Sequence, residues 1–232
     1  TFGFTVYDLP GNGTASVTYT VGAADASQSL ISATPASIVA DNIETSTITV
    51  QLRDQYGNNL TTGGNTVTII TNGTALGTPD TTVVDHGDGT YSITTKSTKT
   101  GTDNFIYTVD GINGTGTAPV TYLPGTAVAG QSVISASPTS IVANNTTTST
   151  VRVQLRDQYG NNLITGGDTV TITVQGTAIG TPETTVQDHG NGTYTITTKS
   201  TTVGTDTFEY TVNSDAGNGT ANVTYTPGVA DP

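Results

Sequence analysis

The chain is 232 residues long, carries 18 Asp and Glu against 6 Lys and Arg for a net charge of −12, and contains no Cys, Met or Trp. That charge repels phosphate backbones and anionic lipid head groups, so nucleic acid and membrane surfaces are not expected partners. The missing cysteine removes disulfides, thiolate metal sites and thiol nucleophiles, and no apolar run approaches the roughly 20 residues that cross a bilayer as a helix.

Taken from its start, the chain opens with a fragment of something it later repeats. Gly13-Thr14-Ala15-Ser16-Val17-Thr18-Tyr19 falls on Gly116-Thr117-Ala118-Pro119-Val120-Thr121-Tyr122, and Phe2 and Val6 fall on Phe105 and Val109. The match predicts that residues 1–22 are the last two strands of a preceding copy, the rest of which lies outside this chain. A hairpin without the strands it packs against is marginal in water.

Residues 23–125 form the first full unit. After a short, small-residued linker over 21–29 comes Ser32-Ala33-Thr34-Pro35, then Ile48, Val50 and Leu52 alternating with Thr49, Gln51 and Arg53. Period-two alternation predicts strands with one face inward and one in water. Further alternating sets follow at Tyr91, Ile93 and Thr95, at Phe105, Tyr107 and Val109, and at Val120 and Tyr122. Between them stand Tyr56-Gly57-Asn58-Asn59, Gly63-Gly64, His86-Gly87-Asp88-Gly89 and Asn113-Gly114, where Gly and Asn supply the positive φ of tight turns.

Residues 126–232 repeat this order at an offset of 103 residues without a gap, with roughly 70% identity. Arg53-Asp54-Gln55-Tyr56-Gly57-Asn58-Asn59 recurs unchanged as Arg156-Asp157-Gln158-Tyr159-Gly160-Asn161-Asn162, and Asp85-His86-Gly87 recurs as Asp188-His189-Gly190. About seven short strands per hundred residues, with no amphipathic helical stretch, predict an all-β chain of tandem immunoglobulin-like β-sandwiches arranged end to end through short linkers over 21–29 and 125–131.

The opening Ser-x-x-Pro-x-Ser-Ile-Val-Ala-(Asp/Asn)-Asn, the Asp-Gln-Tyr-Gly-Asn-Asn turn, the Gly-Gly pair and Asp-His-Gly-(Asp/Asn)-Gly-Thr-Tyr occur in that order in both units. In this the chain resembles bacterial immunoglobulin-like repeats of the invasin and intimin type. The resemblance covers both units and, through its strands, the opening fragment. It implies a non-catalytic stalk segment of a surface adhesin, extracellular and attached to the outer membrane or cell wall through regions not present here. Its partners would be the neighbouring repeats of the same chain, with a host protein or glycan engaged by a distal tip. Two alternatives stay open: a module that itself binds a host protein or glycan, and accessory domains of a secreted carbohydrate-active enzyme.

Several residue types invite chemistry. His86 and His189, one per unit and each in an acidic turn, lack the clustered partners of a metal or acid–base site and read as exposed turn residues. Lys96 and Lys199 invite an intramolecular lysine–asparagine bond, but that bond needs a buried lysine beside an acid, whereas these lysines follow a strand at its edge. Asn12, Asn72, Asn113, Asn145, Asn191 and Asn218 open Asn-x-Thr triplets, most of them Asn-Gly-Thr, which serve as hairpin turns. The oxygen-rich loops at the domain ends make Asp157, Asp188 and Asp215 of the second unit, facing Asp41, Glu44 and Asp103 of the first, candidates for a calcium site at the junction. Solvated turn carboxylates are the competing reading. No catalytic residue and no other cofactor is expected.

Overall fold

The computed structural model describes residues 1–6, 9–75, 77–80, 82–183 and 185–228. Residues 7 and 8 of the expected opening hairpin, and 229–232 of the second unit, lie outside the described residues. All regular elements among them are strands. In the opening fragment β1 (Phe2–Val6) and β2 (Leu9–Ala15) pair antiparallel with each other in a two-stranded sheet.

The first repeat contains β3 (Leu30–Thr34), β4 (Ser37–Val39), β5 (Ser46–Gln51), β6 (Val67–Gly73), β7 (Val84–Asp85), β8 (Thr90–Thr95), β9 (Gly101–Val109), β10 (Ile112–Asn113) and β11 (Ala118–Leu123). The second contains, in the same order, β12 (Val133–Ser137), β13 (Ser140–Val142), β14 (Ser149–Gln154), β15 (Val170–Gly176), β16 (Gln187–Asp188), β17 (Thr193–Thr198), β18 (Gly204–Val212), β19 (Asp215–Ala216) and β20 (Ala221–Thr226). One sheet of the first sandwich runs β3-β5-β8-β7, and the other runs β6-β9-β11-β4 with β10 also against β9. The second sandwich repeats this with β12-β14-β17-β16 and β15-β18-β20-β13.

The opening strand of each repeat serves both sheets. β3 pairs antiparallel with β5, the chain turns at the cis Thr34–Pro35 bond, and β4 then runs parallel to β11 in the opposite sheet. Pro35 has no N–H to give to a ladder, so the crossing falls where the ladder has to break in any case. Ser46, fully buried, donates its hydroxyl to the Pro35 carbonyl and anchors the crossing.

Alternation becomes burial as the spacing requires. In β5 and β8 every second residue is buried, and in β9 Asp103, Phe105, Tyr107 and Val109 point inward while Asn104 and Ile106 point out. Ile48, Phe105, Val120 and Tyr122 with their neighbours fill one half of the first interior, and Val50, Leu52, Tyr91 and Tyr107 fill the other. The second repeat builds its own pair of clusters, around Val153, Leu155 and Tyr210 and around Val151, Phe208 and Tyr225. None of these clusters mixes residues of the two repeats.

The buried tyrosines also carry polar ends that need partners. Tyr107 donates its hydroxyl to the carbonyls of Ala26 (2.9 Å) and Ser29, and Tyr210 does the same to Ala129 (3.0 Å) and Ser132. Burial pushes both phenols above their ordinary pKa of 10.0, so they remain donors at neutral pH. These bonds tie the first turn of each repeat to its longest strand. In consequence the stretches expected as linkers are partly domain: Ala26 and Ala129 are buried in the cores, and the Asp25 and Val128 amides donate to the Arg53 and Arg156 carbonyls.

Among the described residues, one buried side-chain polar atom goes without a partner in this packing. The Thr71 hydroxyl, on the inner face of β6, makes no hydrogen bond, whereas the second repeat carries Val174 at that place. A buried hydroxyl without a partner costs about 1–3 kcal/mol relative to an apolar group that fills the same space. Thr71→Val is therefore expected to stabilise the first repeat by about 1 kcal/mol. A rise in its urea midpoint checks this, and a lower midpoint would contradict it.

Candidate functional site

Among the described residues, a set of polar contacts between elements lies where the two repeats meet. The turn after β14 is organised by Asp157, which is 1% exposed. Its Oδ1 accepts the backbone amides of Tyr159 and Asn161, both at 2.9 Å, and its Oδ2 accepts the Asn161 side-chain amide at 2.8 Å. The same Oδ2 accepts the amide of Gly125 at 3.1 Å, so one carboxylate clamps the turn and the incoming chain together. Gly160 sits at φ 81° with open space around its α-carbon, the left-handed position the turn needs.

Held in this way, the turn reaches back to the first repeat. Tyr159 donates its hydroxyl to the Asp41 carbonyl at 2.9 Å. The Asn161 side chain donates to the Thr98 carbonyl at 2.9 Å and accepts the Thr100 amide at 3.2 Å. With its second N–H on Asp157, both amide hydrogens of Asn161 are engaged, one on each side of the joint. A neutral amide can do this because it both donates and accepts; an acid or a lysine in its place could not.

The same turn stands at the start of the first repeat. Asp54 Oδ1 accepts the amides of Tyr56 and Asn58, and Oδ2 accepts Gly22 N–H at 3.1 Å. Tyr56 is 80% exposed, whereas Tyr159, whose hydroxyl is held by the Asp41 carbonyl, is 44% exposed.

The Asn58 side chain, followed by the other donors around it, pulls the Asp54 pKa from 3.8 down to about 2. Asp25, Asp41, Asp80, Asp85, Asp88, Asp110 and Asp188 are all lowered too, each by hydrogen bonds its carboxylate accepts. A carboxylate whose folded value lies below its unfolded one stabilises the fold fully above the unfolded value, and that contribution disappears as pH falls through the folded value. Melting temperature is therefore expected to hold from neutral pH down to about 5 and to fall between about pH 4 and pH 2, with Asp54→Asn shallower over the lowest part. A series of circular-dichroism melts checks it, and a melting temperature that rises on acidification contradicts it.

The six calcium candidates are placed as follows. Asp41 Oδ1 accepts the amides of Ile43 and Glu44, and Glu44 accepts the Val39 amide. Asp103 is fully buried, accepting Ala75 N–H at 3.2 Å and Gly77 N–H at 2.6 Å, so it fastens a loop inside its own repeat. Asp188 accepts Gly190 and Gly167 amides, each at 2.8 Å, and Asp215 lies exposed in β19 against Val212. Asp41 and Asp157 share an open cleft of about 580 Å³ at the joint, together with Asp168, Tyr159 and Val39. Among the described residues no three Asp, Glu or His side chains come close enough to hold a metal ion. His86 and His189 sit on exposed turns against Ser92 and Thr195, each at 2.8 Å.

Sequence reasoning singled out the acids of the joint and passed over Asn161 and Tyr159, which make the contacts across it. Their signal was present in the seven residues that recur unchanged, for a free turn does not need the same Tyr and Asn twice. Asp103 was misleading because only the pairing of β9 with β6 and β11 places it inside the sandwich.

The family described as Invasin, domain 3 matches residues 25–125 and again 128–228. Among solved structures, the chain is 29% identical to Yersinia pseudotuberculosis InvD with a TM-score of 0.62, covering 88% of this chain and 61% of that one. It is 28% identical to invasin, a bacterial integrin-binding protein, with a TM-score of 0.61, covering 89% of this chain and 41% of that one. The Escherichia coli adhesin FdeC shares the fold at 22% identity and a TM-score of 0.63 over 90% of this chain and 67% of its own. The chain thus spans less than two thirds of the length of the first two.

Proposed function

The chain belongs to the invasin domain 3 family, and from that membership we propose that it is a spacer: a stretch of stalk in a bacterial surface adhesin, extracellular, whose task is to hold a binding tip at a set distance and direction. The observation that carries this reading is the joint, where Tyr159 and Asn161 make three hydrogen bonds to backbone groups of the preceding repeat. At about 1 kcal/mol each they favour the docked arrangement by about 3 kcal/mol, which leaves roughly 1% undocked. Backbone groups as acceptors and donors make the joint insensitive to side-chain drift in the repeat below. The likeness to invasin, described as a bacterial integrin-binding protein, supports the reading.

Small-angle X-ray scattering on this chain and on the double variant Tyr159→Phe, Asn161→Ala tests it. The unaltered chain is expected to scatter as a rigid pair of sandwiches, and the variant, with all three bonds gone, as a flexible pair with the undocked fraction raised at least about tenfold. A variant as stiff as the parent would remove the physical basis of the spacer reading.

A further inference from the structure

The outward face of the β6-β9-β11 sheet in the first repeat carries an apolar patch. Ile70 of β6 and Ile106 of β9 are directly opposed across the strands, 52% and 38% exposed, and Pro119 of β11 stands one step along, opposite Asn104. The flanking outward pairs, Thr68 with Thr108 and Asn72 with Asn104, are uncharged. The second repeat holds Thr173, Glu209 and Asn222 at the three apolar positions, on the same strands and in the same register. Along β15, β18 and β20 the inward residues repeat those of the first sandwich except at Val174, so the interior does not require isoleucine on the outside.

We propose that this face is a lateral contact between two copies of the chain, the same patch on each molecule meeting about a two-fold axis. A patch centred on an Ile–Ile pair and edged by hydroxyl and amide groups is self-complementary, which an isologous contact needs. Charge selects the occupant. At −12 the chains repel one another over most of their surface, and this face, which carries no ionised side chain, is where two copies meet without setting carboxylate against carboxylate. For an acidic or basic partner it offers nothing to pair with, and for a glycan it offers no aromatic ring to stack on. From strand spacing and rise the patch covers on the order of 300 Å² per copy. That is below the roughly 800 Å² per partner of a stable complex, so the contact is weak between free chains. It gains strength where many stalks stand side by side and each contact becomes effectively intramolecular.

The test uses this chain and the variant Ile70→Thr, Ile106→Glu, which installs the cross-strand pair that the second repeat already tolerates; a thermal melt verifies its fold. Amide NMR spectra and sedimentation velocity are recorded from about 20 µM to about 1 mM. The parent is expected to show concentration-dependent shifts confined to β6, β9 and β11, half-saturating at about 0.1–1 mM, and the variant to lose them by at least about tenfold. Thr173→Ile with Glu209→Ile is expected to create a second such face and raise the sedimentation coefficient further. Absence of any concentration dependence in the parent, shifts that persist in the Ile70→Thr, Ile106→Glu variant, or shifts that map to the turns around Tyr56 overturn the proposal. The joint between repeats is untouched by these changes, so the outcome is independent of the spacer reading.

Discussion

Phe208→Ala is expected to unfold the second repeat at a temperature roughly 15–30 °C lower while leaving the melting of the first nearly in place. Phe208 is fully buried on β18, opposite Val174 of β15 and Ala221 of β20, inside the cluster of Val151, Ile196, Val223 and Tyr225. Removing a buried aromatic ring and leaving its cavity costs about 3–5 kcal/mol. A domain of about 100 residues is stable by only about 5–15 kcal/mol, so the loss is a large part of the whole. No residue of the first repeat belongs to that cluster, and what connects the repeats is the hydrogen-bonded joint, worth about 3 kcal/mol. Differential scanning calorimetry is expected to separate one transition into two. If both repeats melted together at the lowered temperature, the interiors would be coupled, and the view of autonomous modules would be lost.

Gly192→Ala is expected to cost the second repeat about 3 kcal/mol or more, and Gly190→Ala two positions away only about 1 kcal/mol. Both glycines have positive φ, 77° and 71°, so a side chain at either carries the left-handed penalty. They differ in surroundings. A β-carbon on Gly190 meets open space, whereas one on Gly192 would lie 2.3 Å from the Leu163 carbonyl oxygen and 2.7 Å from its carbon. Leu163 is buried in the core and its backbone amide is bonded to Leu155, so it cannot retreat without disturbing the ladder around it. Gly192 also offers its carbonyl to Leu155 N–H at 2.9 Å, which places the contact where three segments of chain converge. The first repeat has the same arrangement at Gly89 and Leu60, so the pair of measurements can be made twice in one molecule. Urea unfolding of the four single variants gives the differences directly; equal costs at positions 190 and 192 would contradict the packing argument.

Much of the architecture could be read before any coordinates. The alternation of Tyr91, Ile93 and Thr95 and of Phe105, Tyr107 and Val109 corresponds to the buried sides of β8 and β9. This works because a strand has a period of two and one face of each sheet must leave water. Glycines of the turns were legible for a similar reason, since Gly57, Gly64, Gly87 and Gly89 adopt the positive φ that other residues avoid, whereas the turn expected at Asn113-Gly114 falls earlier, at Asp110 and Gly111 with φ of 50° and 83°. Two things resisted. The stretches over 21–29 and 125–131 look like linkers because their residues are small, yet Ala26 and Ala129 are core. What makes them core is Tyr107 and Tyr210, 81 residues away, whose hydroxyls find their carbonyls. Asp103 looks like one of many loop acids, and only its place on β9 shows that it ties down the Ala75 and Gly77 amides inside the sandwich.

The amino-acid sequence by itself determined what depends on local order and self-similarity: the strand periodicity, the turn positions, the offset between copies and the absence of cysteine chemistry. The tertiary structure alone decided which of the shared residues touch across the joint and which outward faces were left apolar. The physical reason is that a hydrogen bond such as Asn161 to Thr98, 63 residues apart along the chain, is set by how two finished sandwiches abut. Likewise Ile70 and Ile106 become a pair only through the register of β6 on β9, because neither has a neighbour in the chain that announces the other.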